Sequence, residues 1–225
     1  DKSSDFIFGA LKSKITVTKE KCVLCWTMVS KSQKSMVTSY FDDLDITVTN
    51  MVAEATILVT GRGSATAKVL EALVTPIPIV DFSWVQSLVL ENIVKSTESH
   101  RPDFAKTAPE LSNADLVVRS RRILENFQVY VIESCNQDYR RIMEKCGARV
   151  VIFSEIDLPE SHTIVNTTSS NTIIFLESGS HVGTVKNIFG TPGRSFLTIQ
   201  DLTVAIFCVS FPLLLSWDDV SNMAQ

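Results

Sequence analysis

The sequence is poor in the residues from which active sites are usually built. Only three histidines occur, His100, His162 and His181. They stand far apart in polar stretches, and each reads as a surface residue. There is no Gly-x-Ser-x-Gly, no His-Glu-x-x-His and no complete phosphate-binding loop. No catalytic constellation can be assembled, so the chain reads as a binding protein and not an enzyme. Its five cysteines are an odd number. Cys22 and Cys25 form a Cys-x-x-Cys, but no second Cys/His pair lies at zinc-finger spacing. In an extended strand, residues three apart point to opposite faces. The thiols therefore read as buried groups in a reducing compartment, with no metal and no cofactor. Positive charge is also short. Lys and Arg number 21 against 25 Asp and Glu, a net charge of -4. That excludes an overall basic field and argues against direct nucleic-acid binding. The longest apolar run, near Val204 to Leu215, is too short to span a bilayer and contains Ser210 and Pro212. No signal peptide is visible, and a start at Asp1 reads as an excised fragment. Without a secretory signal, the sequon Asn166-Thr167-Thr168 reads as chance.

What is present is the composition of a packed globular protein, 45% hydrophobic and 20% charged over 225 residues, room for one large or two small domains. The most ordered stretch runs from Ile57 to Asn92. Ile57 to Thr60 is a β-branched strand ending at Gly61. Gly61 and Gly63 allow a turn with positive φ. Thr66 to Leu73 has helical spacing, with Ala67, Leu70 and Leu73 on one face. Pro76 and Pro78 stop it. Ile79 and Val80 form a short buried strand. Asp81 or Ser83 then caps a helix that presses Trp84, Val85, Leu88 and Val89 into a core.

One reading of this stretch is a dinucleotide-binding unit. Gly61-Arg62-Gly63-Ser64-Ala65-Thr66 nearly matches Gly-x-Gly-x-x-Gly, and Asp81 lies about 20 residues on, the usual offset of the ribose-binding acid. The order of elements weakens that reading. Val23 to Trp26 is a strand. Ser30 to Phe41 is an amphipathic helix with Met36, Val37, Tyr40 and Phe41 as its apolar side. Asp45 to Thr49 is the second strand, and Ile57 to Thr60 the third. A dinucleotide fingerprint belongs after the first strand of its sheet, whereas here the glycines follow the third.

Residues 95 to 126 are rich in Ser, Pro and charge and read as a linker, with a short helix expected within Leu111 to Leu124. Arg119, Arg121 and Arg122 read as a solvated basic cluster. The first pattern then recurs. Gln128 to Ile132 is a strand, Asn136 to Cys146 a helix closed by Gly147, and Arg149 to Phe153 and Thr172 to Leu176 are strands. A short helix over Val182 to Phe189 and a turn over Gly190 to Arg194 follow. Ser195 to Ile199 is a strand, and an apolar helix runs from Asp201 to near Pro212. The result is an internal repeat of about 100 residues, β-α-β-β-α-β-α twice.

This repeat, with Trp84 in the last helix of its first copy, resembles a tandem pair of BRCT modules. The resemblance implies an α/β fold of two modules, each a four-stranded parallel sheet flanked by helices. It divides the chain into a lead-in (1–20), a first module (21–103), a linker (104–125) and a second module (126–225). In the second copy Leu202 or Ile206 stands where the family Trp is expected, and Trp217 comes too late. Phosphopeptide-reading members of the family place a Ser or Thr just after the first strand of the first module. They place a Lys sixteen residues before the Trp. The matching positions are Thr27 and Lys68. A hydroxyl, a backbone N–H and an ammonium are the donors that a phosphoserine's three oxygens want. The backbone donor, usually on a Gly, falls on Met28. Many members carry an Arg three residues before the Lys that binds the peptide main chain or its terminal carboxylate. Ala65 stands there, and Arg62 is the candidate substitute. Asp201 is a candidate for contacting peptide residues after the phosphoserine, from the second module. The resemblance thus implies a nuclear, non-enzymatic scaffold of the DNA-damage response that binds a phosphoserine or phosphothreonine peptide. Its leading partner is the phosphorylated C-terminal tail of the core histone that marks damaged chromatin. The alternatives are a BRCT pair that packs on an unmodified partner, and the dinucleotide-dependent oxidoreductase of the Gly61-x-Gly63 turn.

Overall fold

The computed structural model describes residues 21–91, 95–106, 108–109, 116, 121–153, 171–177, 195–210, 212 and 214–216. Outside them lie the lead-in with its apolar patch at Phe6, most of the helix expected over Leu111 to Leu124, Arg119, His162, His181, the sequon, the segment Val182 to Arg194, and Trp217.

The first module is a parallel sheet of β1 (Cys22–Thr27), β2 (Ile46–Thr49), β3 (Ile57–Thr60) and β4 (Ile79–Asp81), in the order β2-β1-β3-β4. Its helices are α1 (Lys31–Thr38), the single turn α2 (Phe41–Leu44), α3 (Ala67–Val74) and α4 (Phe82–Leu90). The second module repeats the plan with β5 (Gln128–Ile132), β6 (Arg149–Phe153), β7 (Thr172–Leu176) and β8 (Ser195–Thr198), in the order β6-β5-β7-β8. Helices α5 (Gln137–Lys145) and α6 (Ile199–Cys208) accompany it. There are two separate sheets, not one continuous sheet, as the repeat requires.

The helices begin where side chains can take the orphan N–H groups of a first turn. Ser30 and Gln33 make a reciprocal capping box for α1. Thr66 caps α3, Asp81 caps α4, Asn136 caps α5 and Thr198 caps α6. Gly147, at φ +93, follows the end of α5 in the left-handed conformation that glycine tolerates. Asp201 works inside this framework, its carboxylate 2.5 Å from the Thr198 hydroxyl at the cap of α6.

Alternation along β1 sends its side chains to two cores. Leu24 and Trp26 join α1 and α4, with Val37, Phe41, Trp84 and Val85, on one face. Trp26 stacks on Phe41 with ring centroids 6.1 Å apart. Trp84 is buried, and its indole N–H donates to the Lys95 carbonyl at 2.9 Å. Met36 and Tyr40, expected on the apolar side of α1, are instead 50% and 41% exposed. The helix spans too few residues to bury so wide a stripe. Cys25 points to the other face, against α3, as residues three apart from Cys22 should.

That second core crosses the module boundary. Leu70 and Leu73 of α3 share it with Ile142 and Met143 of α5 and with Leu202, Ile206 and Phe207 of α6. Counted from the caps Asp81 and Thr198, Asp201 stands at the position of Trp84, and Leu202 and Ile206 match Val85 and Val89. The seam is thus made by three helices, α3 against α5 and α6. Polar bonds pin its edge, since the Lys145 ammonium lies 3.0 Å from the Glu71 carboxylate and 2.7 Å from the Thr75 hydroxyl.

Arg121 corrects the reading of the linker arginines. It is fully buried, while its neighbour Arg122 is exposed and pairs with Glu125. Arg121 Nε donates to the Leu73 carbonyl at 3.3 Å and Nη1 to the Ile206 carbonyl at 3.0 Å. Both carbonyls lie in the last turn of a helix, where no backbone N–H can reach them. One guanidinium therefore joins the C-terminal ends of α3 and α6, where the helix dipoles favour a cation.

Candidate functional site

The carboxyl ends of β1 and β3 and the first turn of α3 meet at one corner of the first module. Thr27 closes β1 and is nearly covered, at 7% exposed. Its hydroxyl lies 3.0 Å from that of Thr66. Thr66 also accepts from the Val69 N–H at 3.3 Å as the cap of α3. With Thr66 donating to Thr27, the Thr27 proton is left for a further acceptor. Lys68, half-buried in the first turn of α3, aims its ammonium at the same strand end. It lies 3.3 Å from the Trp26 carbonyl and 3.7 Å from the Cys25 sulfur. Thr27, Thr66 and Lys68 thus converge where α3 presents its positive end. Thr66 was missed in the sequence. Its usable signal is a Thr immediately before a helical run, and two residues before the Lys that the register selects.

Met28 follows at φ 54, a left-handed conformation that a side chain adopts only with strain. This is the position where the resemblance would place a Gly, and the backbone has the shape that glycine favours. The Met28 side chain is 51% exposed. It lines an open cleft of about 480 Å³ together with Val29, Ser30, Gln33, Gly61 and Arg62. Thr27 and Lys68 are not part of that lining. The four expected residues therefore divide. Thr27 and Lys68 meet at the strand end, Arg62 stands in the cleft, and Met28 joins the two. Ala65 packs against the core that crosses the module boundary.

The two glycines serve a different purpose from the one the fingerprint assigns. Neither lies at positive φ, so the left-handed turn they allow is absent. A side-chain carbon on Gly61 would lie 2.3 Å from the Met28 carbonyl oxygen, and one on Gly63 would lie 2.2 Å from the Asp103 carbonyl oxygen. Gly61 also donates its N–H to the Thr27 carbonyl at 3.1 Å. The nearest atoms packed against both glycines are backbone carbonyl oxygens, which repel an anion. Asp81, the expected ribose ligand, is a helix cap.

Asp81 also belongs to an Asp-Ser-His cluster. The Ser83 hydroxyl lies 2.7 Å from His100 Nδ1 and donates to Asp81. In a nucleophilic triad the imidazole stands between serine and carboxylate. Here serine stands in the middle and gives its proton to the carboxylate, so it is not activated. The cluster ties the segment after α4 back to the first module. His100, expected at the surface, has only 14% of its side chain exposed. Among the described residues no group of three His, Cys, Asp or Glu could hold a metal ion. Burial pushes the thiols of Cys135 and Cys146 up to about 12, so they are protonated and unreactive at neutral pH.

No family model matches the sequence, and no curated protein does. Solved structures do match. The chain is similar to the BRCT5-BRCT6 domains of S. pombe Brc1, with a TM-score of 0.57 at 13% identity, covering 85% of this chain and 94% of that one. It is similar to Rtt107p in its complex with a phosphorylated histone, with a TM-score of 0.54 at 8% identity, covering 88% and 91%. It is also similar to the FHA/BRCT-repeat domain of S. pombe Nbs1, with a TM-score of 0.53 at 20% identity, covering 92% and 63%. With two parallel four-stranded α/β modules in succession, the chain has the fold of a tandem BRCT pair.

Proposed function

We propose that the chain is a phosphopeptide-binding module and not an enzyme. It binds a phosphoserine or phosphothreonine on a partner in the nuclear DNA-damage response. The Thr27 hydroxyl, the Met28 N–H and the Lys68 ammonium take the phosphate oxygens at the N-terminal end of α3. The carrying observation is the convergence of Thr27, Thr66 and Lys68 at that helix end. The left-handed backbone at Met28 supports the same register. The leading partner is the phosphorylated C-terminal tail of a core histone. The likeness to Rtt107p, solved with a phosphorylated histone, supports that choice.

The test is titration of a phosphoserine peptide against wild type and Lys68→Met, with folding checked by melting. Charge-assisted hydrogen bonds contribute roughly 1.5–3 kcal/mol each, so loss of the ammonium weakens binding by about tenfold to a hundredfold. Thr27→Ala costs less, because it removes a neutral donor. Equal binding by Lys68→Met, or equal binding of the dephosphorylated peptide, overturns the reading.

A further inference from the structure

The cleft beside the strand end shares only Met28 with the proposed phosphate site. Its position is informative. It is bounded by the loop from β1 into α1 and by the turn after β3. Helix α1 packs on the face of the sheet opposite α3, and α3 carries the seam with the second module. The cleft therefore lies on the α1 side of the strand ends, whereas the seam lies on the α3 side.

Its charge is one-sided. Arg62 is exposed, and its guanidinium has no ion-pair or hydrogen-bond partner among the described residues. Lys31 and Lys34 stand in the first turn of α1 beside Ser30 and Gln33, and that turn holds no acidic residue. The apolar part of the wall is Met28 and Val29. Ser30 and Gln33 are occupied by their mutual capping bonds and offer no free carboxylate.

Resting on the phosphopeptide reading, we propose that this cleft reads the peptide residues before the phosphoserine and selects acidic ones there, with Arg62 as the specificity-determining side chain. Residues after the phosphoserine run toward the second module in that reading. Those before it therefore run toward the cleft. An Asp, a Glu or a second phosphorylated residue meets Arg62, with Lys31 and Lys34 adding to the positive potential. The stem of the preceding residue lies on Met28 and Val29.

The experiment uses the full chain and four peptides. One is a phosphoserine peptide with neutral flanks, and one is its dephosphorylated form. The third carries Glu at the three positions before the phosphoserine, and the fourth carries Glu at the three positions after it. Each is titrated against wild type, Arg62→Ala and Arg62→Lys. An exposed ion pair is modest, so the expected gain from preceding acids is roughly two- to fivefold, shrinking as salt is raised. Arg62→Ala abolishes that gain, so the acidic-to-neutral affinity ratio falls to about one, while Arg62→Lys keeps part of it. A preference that survives Arg62→Ala, or that appears equally for acids after the phosphoserine, overturns the inference and leaves the phosphate reading intact. If the dephosphorylated peptide binds as well as the phosphorylated one, the phosphate reading falls, and this inference falls with it.

Discussion

Replacing Arg121 with Met tests whether one guanidinium holds the two modules in register. Met keeps most of the apolar stem and removes the charge and both donors. The carbonyls of Leu73 and Ile206 then lose a partner inside a packed core. A buried acceptor left unsatisfied costs about 1–3 kcal/mol. Two such acceptors therefore cost about 2–6 kcal/mol. Part of this is returned, because a buried charge no longer has to be desolvated. The expected net loss is about 2–4 kcal/mol, a fall in Tm of roughly 5–15 °C for a chain of this size. Thermal and urea unfolding followed by far-ultraviolet circular dichroism measure it. Arg122→Met is the matched control, one residue away and exposed, and should change stability by no more than about 0.5 kcal/mol. If the two variants melt together, within about a degree of wild type, Arg121 does not bridge the helices and the account of the seam is wrong.

Three further outcomes follow from the same structure. Gly61→Ala should destabilise and also weaken phosphopeptide binding, because its new carbon must push the Met28 carbonyl from 2.3 Å to normal contact; denaturant midpoints together with peptide titration check both effects. Met28→Gly should instead raise stability by up to about 1 kcal/mol, since it removes the cost of a left-handed side-chain-bearing residue; an unchanged or lower denaturant midpoint would count against that assignment of strain. Cys135 and Cys146 titrate at about 12 in the folded chain against 9.0 ordinarily, so their contribution to stability is complete below about pH 9 and is lost as pH rises toward 12; unfolding midpoints measured across that range should fall, and less steeply in the double Cys→Ala variant.

The strands were legible because a parallel sheet covered on both faces needs short, continuous β-branched runs, which Ile57 to Thr60 and Thr172 to Leu176 supply. The helix starts were legible from Ser30, Asp81 and Asn136, whose side chains cap locally and owe nothing to tertiary context. Arg121 was not. A charged residue in a segment rich in Ser, Pro and charge reads as solvated, and its burial depends on carbonyls 48 and 85 residues away. Gly61 and Gly63 were read for the turns they permit, whereas the fold uses them for the side chains they lack. Thr27, Met28 and Lys68 were reached only by counting from Trp84, since nothing local separates such residues from an ordinary strand end and an ordinary surface lysine. Their partner Thr66 was read as the start of a helical run and not as a member of the site.

Helix α3 is about 12 Å long, yet it carries Lys68 in its first turn and the seam with α5 and α6 along its flank and at its other end. A rod this short cannot shift at one end and stay put at the other. If the corner holds a phosphopeptide as proposed, its occupancy and the docking of the second module are thermodynamically coupled, and the coupling is reciprocal. A ligand that orders the first turn of α3 raises the cost of undocking by the same free energy by which docking raises its affinity. Prising the modules apart is then a means of releasing the ligand without touching a single residue that holds it.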